Sequence, residues 1–121
     1  MKRIQPNAIY DGIPCSVVSV GCAMKLIDRA AIVRLYSNQL HKDGYLSLRD
    51  MDGLLRANMS VKRRTNYKRG QRPALWQWAQ DHVGTKAVIC LLGHFIYFDG
   101  HDYHSFFHNE SDEVVTVWEV A

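Results

Sequence analysis

The stretch "KAVICLLGHFIYFDG", from Lys86 to Gly100, decides how this chain is read. After Gly84 the apolar residues stop recurring at helical spacing and run on almost without interruption, through aliphatic and aromatic types, to the hairpin signal Asp99-Gly100. "DYHSFF" and "EVVTVWEV" read as further strands, divided by the polar "HNESD". An antiparallel sheet is therefore predicted over 86–99, 102–107 and 114–120.

Upstream of Gly84 the pattern is helical. Proline suits the first turn of a helix, and Pro73 opens "PALWQWAQDHV", where Leu75, Trp76, Ala79 and Val83 form an apolar stripe that Gly84 ends. From Cys15 to about Leu40 the apolar residues fit two helices broken near Asp28, which is placed to cap the second. His41-Lys42-Asp43-Gly44 reads as a turn, and Ser47 with Asp50 has the form of a capping box ahead of Met51, Leu54 and Leu55. Gly53 weakens that helix, since glycine costs about 1 kcal/mol relative to alanine in a helix interior. Helices at the front and strands at the back make one α+β domain over 1–121, with no repeat and no linker.

Composition narrows the function classes. At 121 residues, 47% hydrophobic and 22% charged, the chain has an ordinary globular composition, and no apolar run reaches the ~20 residues that span a bilayer. No membrane association is expected. Cys15, Cys22 and Cys90 are odd in number and show no C-x-x-C spacing, which argues against a disulfide framework or a zinc ribbon. Met1-Lys2-Arg3 leads into Gln5, Pro6 and Asn7 rather than an apolar segment, so a reducing cytoplasm is the expected compartment.

The net charge of +3 is unevenly spread. Lys62, Arg63, Arg64, Lys68, Arg69 and Arg72 follow one another without an acid, with Tyr67 among them, whereas Glu110, Asp112, Glu113 and Glu119 make the C-terminal end acidic. The basic run reads either as a solvated, mobile loop or as a nucleic-acid surface. His101, His104 and His108 crowd one short stretch, but their spacing fits no standard zinc motif and no cofactor is expected.

Cys15 follows Gly12 and Pro14 at the start of a helical pattern, and His94 lies within an apolar strand, where an imidazole needs a hydrogen-bond partner or a functional reason. The N–H groups of a first helical turn stabilise a thiolate, and a neutral imidazole can take the thiol proton and return it to a leaving amine. Cys22 and Cys90 sit in apolar settings that read as packing. Trp76, Trp78 and Trp118 read as core or groove walls.

"QPNAIYDGIPCSVVSV", from Gln5 to Val20, resembles the glutamine-then-cysteine opening of papain-like cysteine peptidases, in particular small bacterial and phage forms related to bacteriocin leader peptidases. "RPALWQWAQDHVGTKAVICLLGHFIYFDGHDYHSFF" resembles their block of helix, glycine turn, strand, Gly-His and Asp-Gly hairpin. The resemblance implies a papain-like fold, with helices carrying the nucleophile at a helix N-terminus against a C-terminal antiparallel sheet. It implies Cys15 as nucleophile, His94 as general base, and cleavage of a peptide, isopeptide or amide bond in a peptide or protein substrate without a cofactor, in a host cytoplasm if the protein is phage-encoded. Gln5, with Asn7 as its rival, is the implied oxyanion donor, although Gln5 stands farther ahead of Cys15 than the family's glutamine. His104 occupies the place of the family's orienting aspartate or asparagine, with Asp102, Ser105 and Asn109 as substitutes if the hairpin register differs. The alternative is a papain-like binding module, catalytically degenerate, that contacts a host protein or a nucleic acid through the basic 62–72 segment.

Overall fold

The computed structural model describes residues 1–38 and 47–121; the expected turn at 41–44 and helix end at Leu40 lie outside them. Among the described residues the chain is α+β, with four α-helices and a six-stranded mixed sheet. In chain order these are β1 (Arg3–Ile4), α1 (Cys15–Ala23), α2 (Arg29–Asn38), α3 (Leu48–Asn58), β2 (Val61–Asn66), α4 (Leu75–Asp81), β3 (Ala87–Leu91), β4 (His94–Phe98), β5 (Tyr103–His104) and β6 (Val114–Val120). The sheet order is β1-β5-β4-β3-β6-β2. No described helix is long and apolar enough to cross a membrane.

The unbroken apolar run at 87–91 becomes strand β3, buried at every position because it lies inside the sheet and is covered on both faces. Alternation then sorts the neighbours. Val88 and Cys90 of β3, Tyr97 of β4 and Trp118 and Val120 of β6 join Val17 and Val20 of α1, Leu35 of α2, and Met51, Leu54 and Leu55 of α3 in one core. Ala87, Ile89, Leu91, Ile96, Phe98 and Val117 point the other way, onto Leu75, Trp78 and Ala79 of α4. A register shift between Cys90 and Leu91 against β6 puts Val114 on that second side as well.

Several expectations are corrected. The 86–99 run is not one strand but a hairpin: β3 and β4 pair antiparallel through a turn at Leu92 and Gly93, the latter at φ +76°, so His94 opens a strand rather than lying inside one. The 102–107 strand shrinks to Tyr103–His104, because the Ser105 hydroxyl engages the Phe107 backbone and turns the chain out of the ladder. The sheet is neither wholly antiparallel nor wholly C-terminal, since β1 pairs parallel with β5 and β2 pairs antiparallel with β6. That second pairing also overturns the loop expected for the first part of the basic run. Helix α4 begins at Leu75, not at Pro73, whose carbonyl instead accepts a hydrogen bond from the Val114 N–H.

Local signals hold elsewhere. Asp28 accepts from the Ala30 N–H at the head of α2, and Ser47 accepts from the Asp50 N–H at the head of α3. Trp118 ties the sheet to α3 by donating its indole N–H to Asp52 at 3.0 Å. Burial would raise that carboxyl, but Trp118, Arg56 and Arg64 outweigh it and hold Asp52 below its ordinary value.

Helix α1 is buried from Ser16 to Gly21. A Cβ at Gly21 would lie 2.6 Å from the Tyr10 ring, whose own position is fixed by burial and by a 2.9 Å hydrogen bond from its hydroxyl to the Leu26 carbonyl. At Gly53, inside α3, an added Cβ would meet nothing within 4 Å and would face open space. The two glycines should therefore respond with opposite signs. We expect Gly21→Ala to destabilise by about 1–3 kcal/mol through overpacking, and Gly53→Ala to stabilise by up to about 1 kcal/mol through helix propensity; denaturant unfolding of both variants checks the pair.

Candidate active site

Cys15 is the first residue of α1, after Pro14 in extended conformation and without a side-chain cap. The helix lies against β4, so its N-terminus emerges beside the start of that strand. There Cys15, half-buried, and His94 line one cavity of about 110 Å³ together with Ile13, Val18, Phe95, His104, Ser105, Phe106 and Phe107. No hydrogen bond joins Cys15 to His94 in this conformation, and catalytic contacts are often open before substrate binds.

The His94 ring is held from two sides. Its Nε2 lies 3.2 Å from the Ser105 Oγ, and its face stacks on Phe107 with centroids 4.6 Å apart. The serine fixes the tautomer. Ser105 has one hydroxyl proton, which it donates to the Phe107 carbonyl at 2.5 Å, so toward His94 it can only accept. Neutral His94 therefore carries its proton on Nε2, and Nδ1 keeps a lone pair free to take one. Burial lowers the His94 pKa from its ordinary 6.5, against the opposing pull of the Phe107 backbone and Asp112, so the ring is neutral at pH 7.

His104 lines the same cavity, but its Nε2 is 2.7 Å from Asp99 Oδ2 and it does not hydrogen-bond His94. Asp99 also accepts from the N–H groups of His101 and Asp102; burial would raise its carboxyl, and these donors with His104 hold it below the ordinary value. Of the substitutes for His104, Asp102 accepts from the Lys2 N–H, Asn109 donates its N–H to Asp112, and Ser105 alone reaches His94. Gln5 is exposed and lies off the cavity, and the Asn7 side-chain Oδ1 accepts from the Ile9 N–H. The donor left beside Cys15 is the helix N-terminus itself, whose first N–H groups have no intrahelical acceptor.

Neither of the other two thiols lines this cavity. Burial pushes Cys22 up to about 11, opposed by a hydrogen bond with Tyr10, and pushes Cys90 up to about 11, with Cys15 adding to the rise and Arg72 opposing it. Trp78 and Trp118 are buried, whereas Trp76 is exposed. Among the described residues no His, Cys, Asp and Glu side chains group as a metal site.

The basic run is divided. Arg64 lies 3.3 Å from Asp52 and over the Trp118 ring, Arg63 is 4.0 Å from Glu119, and Arg72 is 3.8 Å from Glu113. Lys62, Lys68 and Arg69 are exposed. Sequence reasoning missed Phe106 and Phe107 as cavity walls because it carried the strand through them. The signal was present in Ser105, a residue that turns the backbone by bonding it two residues on.

No family model, curated protein or solved structure matches the chain.

The imidazole geometry is open to direct test. In a proton and nitrogen NMR titration, His94 should show an Nε2–H tautomer at pH 7 and a midpoint below 6.5. Burial depresses His108 in the same way. Because both fold with fewer protons bound than they hold unfolded, they contribute stability that is present above pH 6.5 and lost as pH falls through their folded values. The melting temperature of a His94→Gln, His108→Gln variant should accordingly fall less steeply below that pH than the parent's.

Proposed function

We propose that the chain is a papain-like cysteine peptidase or amidase, with Cys15 as nucleophile and His94 as general base. The observation that carries this reading is the shared cavity: a half-buried thiol on the first turn of a buried helix faces the same small space as an imidazole whose Nε2 is anchored and whose Nδ1 is free. Ser105 is the orienting residue, in the role that the sequence resemblance gave to His104.

The chemistry follows from those groups. As the Cys15 Sγ attacks a substrate carbonyl carbon, its proton passes to His94 Nδ1, and the negative charge on the carbonyl oxygen meets the N–H groups of the α1 terminus. The tetrahedral species expels the amine, which takes the proton from His94, and a thioester to Cys15 remains. Water then attacks the thioester, giving a proton to His94 that returns to the departing sulfur, and the acid product leaves. Ser105 supports the imidazolium with a dipole rather than a charge, so a slower proton transfer than that of an acid-oriented pair is expected.

A panel of peptidyl vinyl sulfones followed by intact-mass analysis tests the assignment. A single adduct should form on Cys15 and vanish in Cys15→Ala, while His94→Ala should slow it by about 100-fold or more, the low end of general-base contributions. Ser105→Ala should have a smaller effect than His94→Ala. Adducts on Cys22 or Cys90, or a Cys15 rate indifferent to His94→Ala, would remove the peptidase reading.

A further inference from the structure

Arg72 has more hydrogen-bonding capacity than its surroundings use. Its side chain is 20% exposed, its Nε is buried with no hydrogen-bond partner among the described residues, and its one charged neighbour among them, Glu113, is 3.8 Å away and largely in solvent. A guanidinium presents donors in a planar fork; with Nε enclosed, the outer Nη groups are the ones that an anionic ligand in the open pocket would meet. Arg72 opens on a pocket of about 650 Å³ lined with Arg69, Gly70, Leu92 and Glu113.

That pocket is linked to the candidate active site through the β3–β4 turn, with Leu92 lining the one and His94 the other. Leu92 is in the turn that leads to His94, its N–H donates to the Glu113 carbonyl at 3.3 Å, and β3 ends and β6 begins at the same edge of the sheet. The charge of Arg72 is felt at Cys90, which also feels Cys15, so guanidinium and nucleophile share a neighbour.

We propose that Arg72, with Arg69 beside it, binds a carboxylate of the peptide held at Cys15, and so selects substrates that carry an acidic side chain or a free C-terminus within reach of the scissile bond. The peptide as carrier rests on the cysteine-peptidase reading; the carboxylate site stands on the pocket alone. A polyphosphate backbone fits less well, because Arg63 and Arg64 face Glu119 and Asp52 and the pocket has Glu113 in its wall. A paired guanidinium beside one acid suits a ligand of single charge.

The test follows the Arg72 Nε–H resonance of the full chain by NMR. N-acetylglutamic acid α-amide carries a side-chain carboxylate, N-acetylalanine a terminal one, and N-acetylglutamine amide none. One or both carboxylates should shift the resonance saturably, and whichever binds more tightly identifies the source, while the amide leaves it in place. Arg72→Gln should weaken binding about tenfold or more, the loss of one charge-assisted fork. Glu113→Gln, which removes a competing carboxylate and leaves the guanidinium intact, should tighten it. No shift with either carboxylate, an equal shift with the amide, or a shift only with a single-stranded oligonucleotide overturns the inference. Vinyl sulfone labelling of the same samples keeps the two readings apart: binding without Cys15 labelling sinks the peptidase and leaves the site, and labelling without binding does the reverse.

Discussion

Everything at the candidate site depends on α1 being buried against the sheet. Six consecutive positions, Ser16 to Gly21, are buried, and Ser19 among them is almost closed to water. Ser19 resolves this within the helix by donating its hydroxyl to the Ser16 carbonyl at 2.7 Å. Tyr10 covers the far side at Gly21, where only a glycine admits the ring. A helix enclosed in this way has one end free to meet solvent near β4, and the residue at that end is Cys15. The position of the proposed nucleophile is thus a packing result before it is a chemical one.

The same end of the sheet explains why serine can stand where an acid was expected. An aspartate beside His94 would hold a proton on the ring and favour the imidazolium. Ser105 holds the same tautomer without the charge, because the Phe107 carbonyl takes its only proton and leaves the oxygen as acceptor. Burial then keeps the ring neutral. Meanwhile the acid of this hairpin, Asp99, is occupied with the turn at His101 and Asp102 and with His104. The charge that the sequence placed near the histidine is used to shape the hairpin instead.

Periodicity made much of the fold legible. The helical spacing before Gly84, the caps at Asp28 and Ser47, and the unbroken apolar run at 87–91 each report on neighbours close in sequence, and each is found in place. What failed was long-range. Lys62 to Asn66 looks like a solvated run because its own residues are polar, yet it pairs with β6 some fifty positions later, and Arg64 settles over Trp118. The parallel strand at Arg3–Ile4 is too short to carry a pattern and exists only because β5 offers it an edge. Cys15 and His94 were legible as residue types in telling local settings; Ser105 over His104 was not, since a one-residue difference in where β5 ends decides which side chain reaches the imidazole.

The two faces of the sheet divide the work of the chain. On the α4 side, Leu75, Trp78 and Ala79 close over Ile89, Leu91, Ile96 and Phe98 in an apolar layer, and His82 stacks flat on Trp78 with its Nδ1 on the Trp78 carbonyl. Such a layer gains stability from being dry and has little to offer a substrate. The α1 side encloses two thiols, a tyrosine hydroxyl and an indole N–H, each of which needs a partner: Cys22 bonds with Tyr10, Cys90 bonds the Leu91 carbonyl, Tyr10 the Leu26 carbonyl, Trp118 the Asp52 carboxylate. Once those are satisfied, the groups open to a ligand at the cavity are the Cys15 thiol and the Nδ1 of His94, while Arg72 Nε and His108 Nδ1 stay buried without a partner among the described residues. Cys15 and His94 meet there because α1 begins and β4 opens at the same end of the sheet.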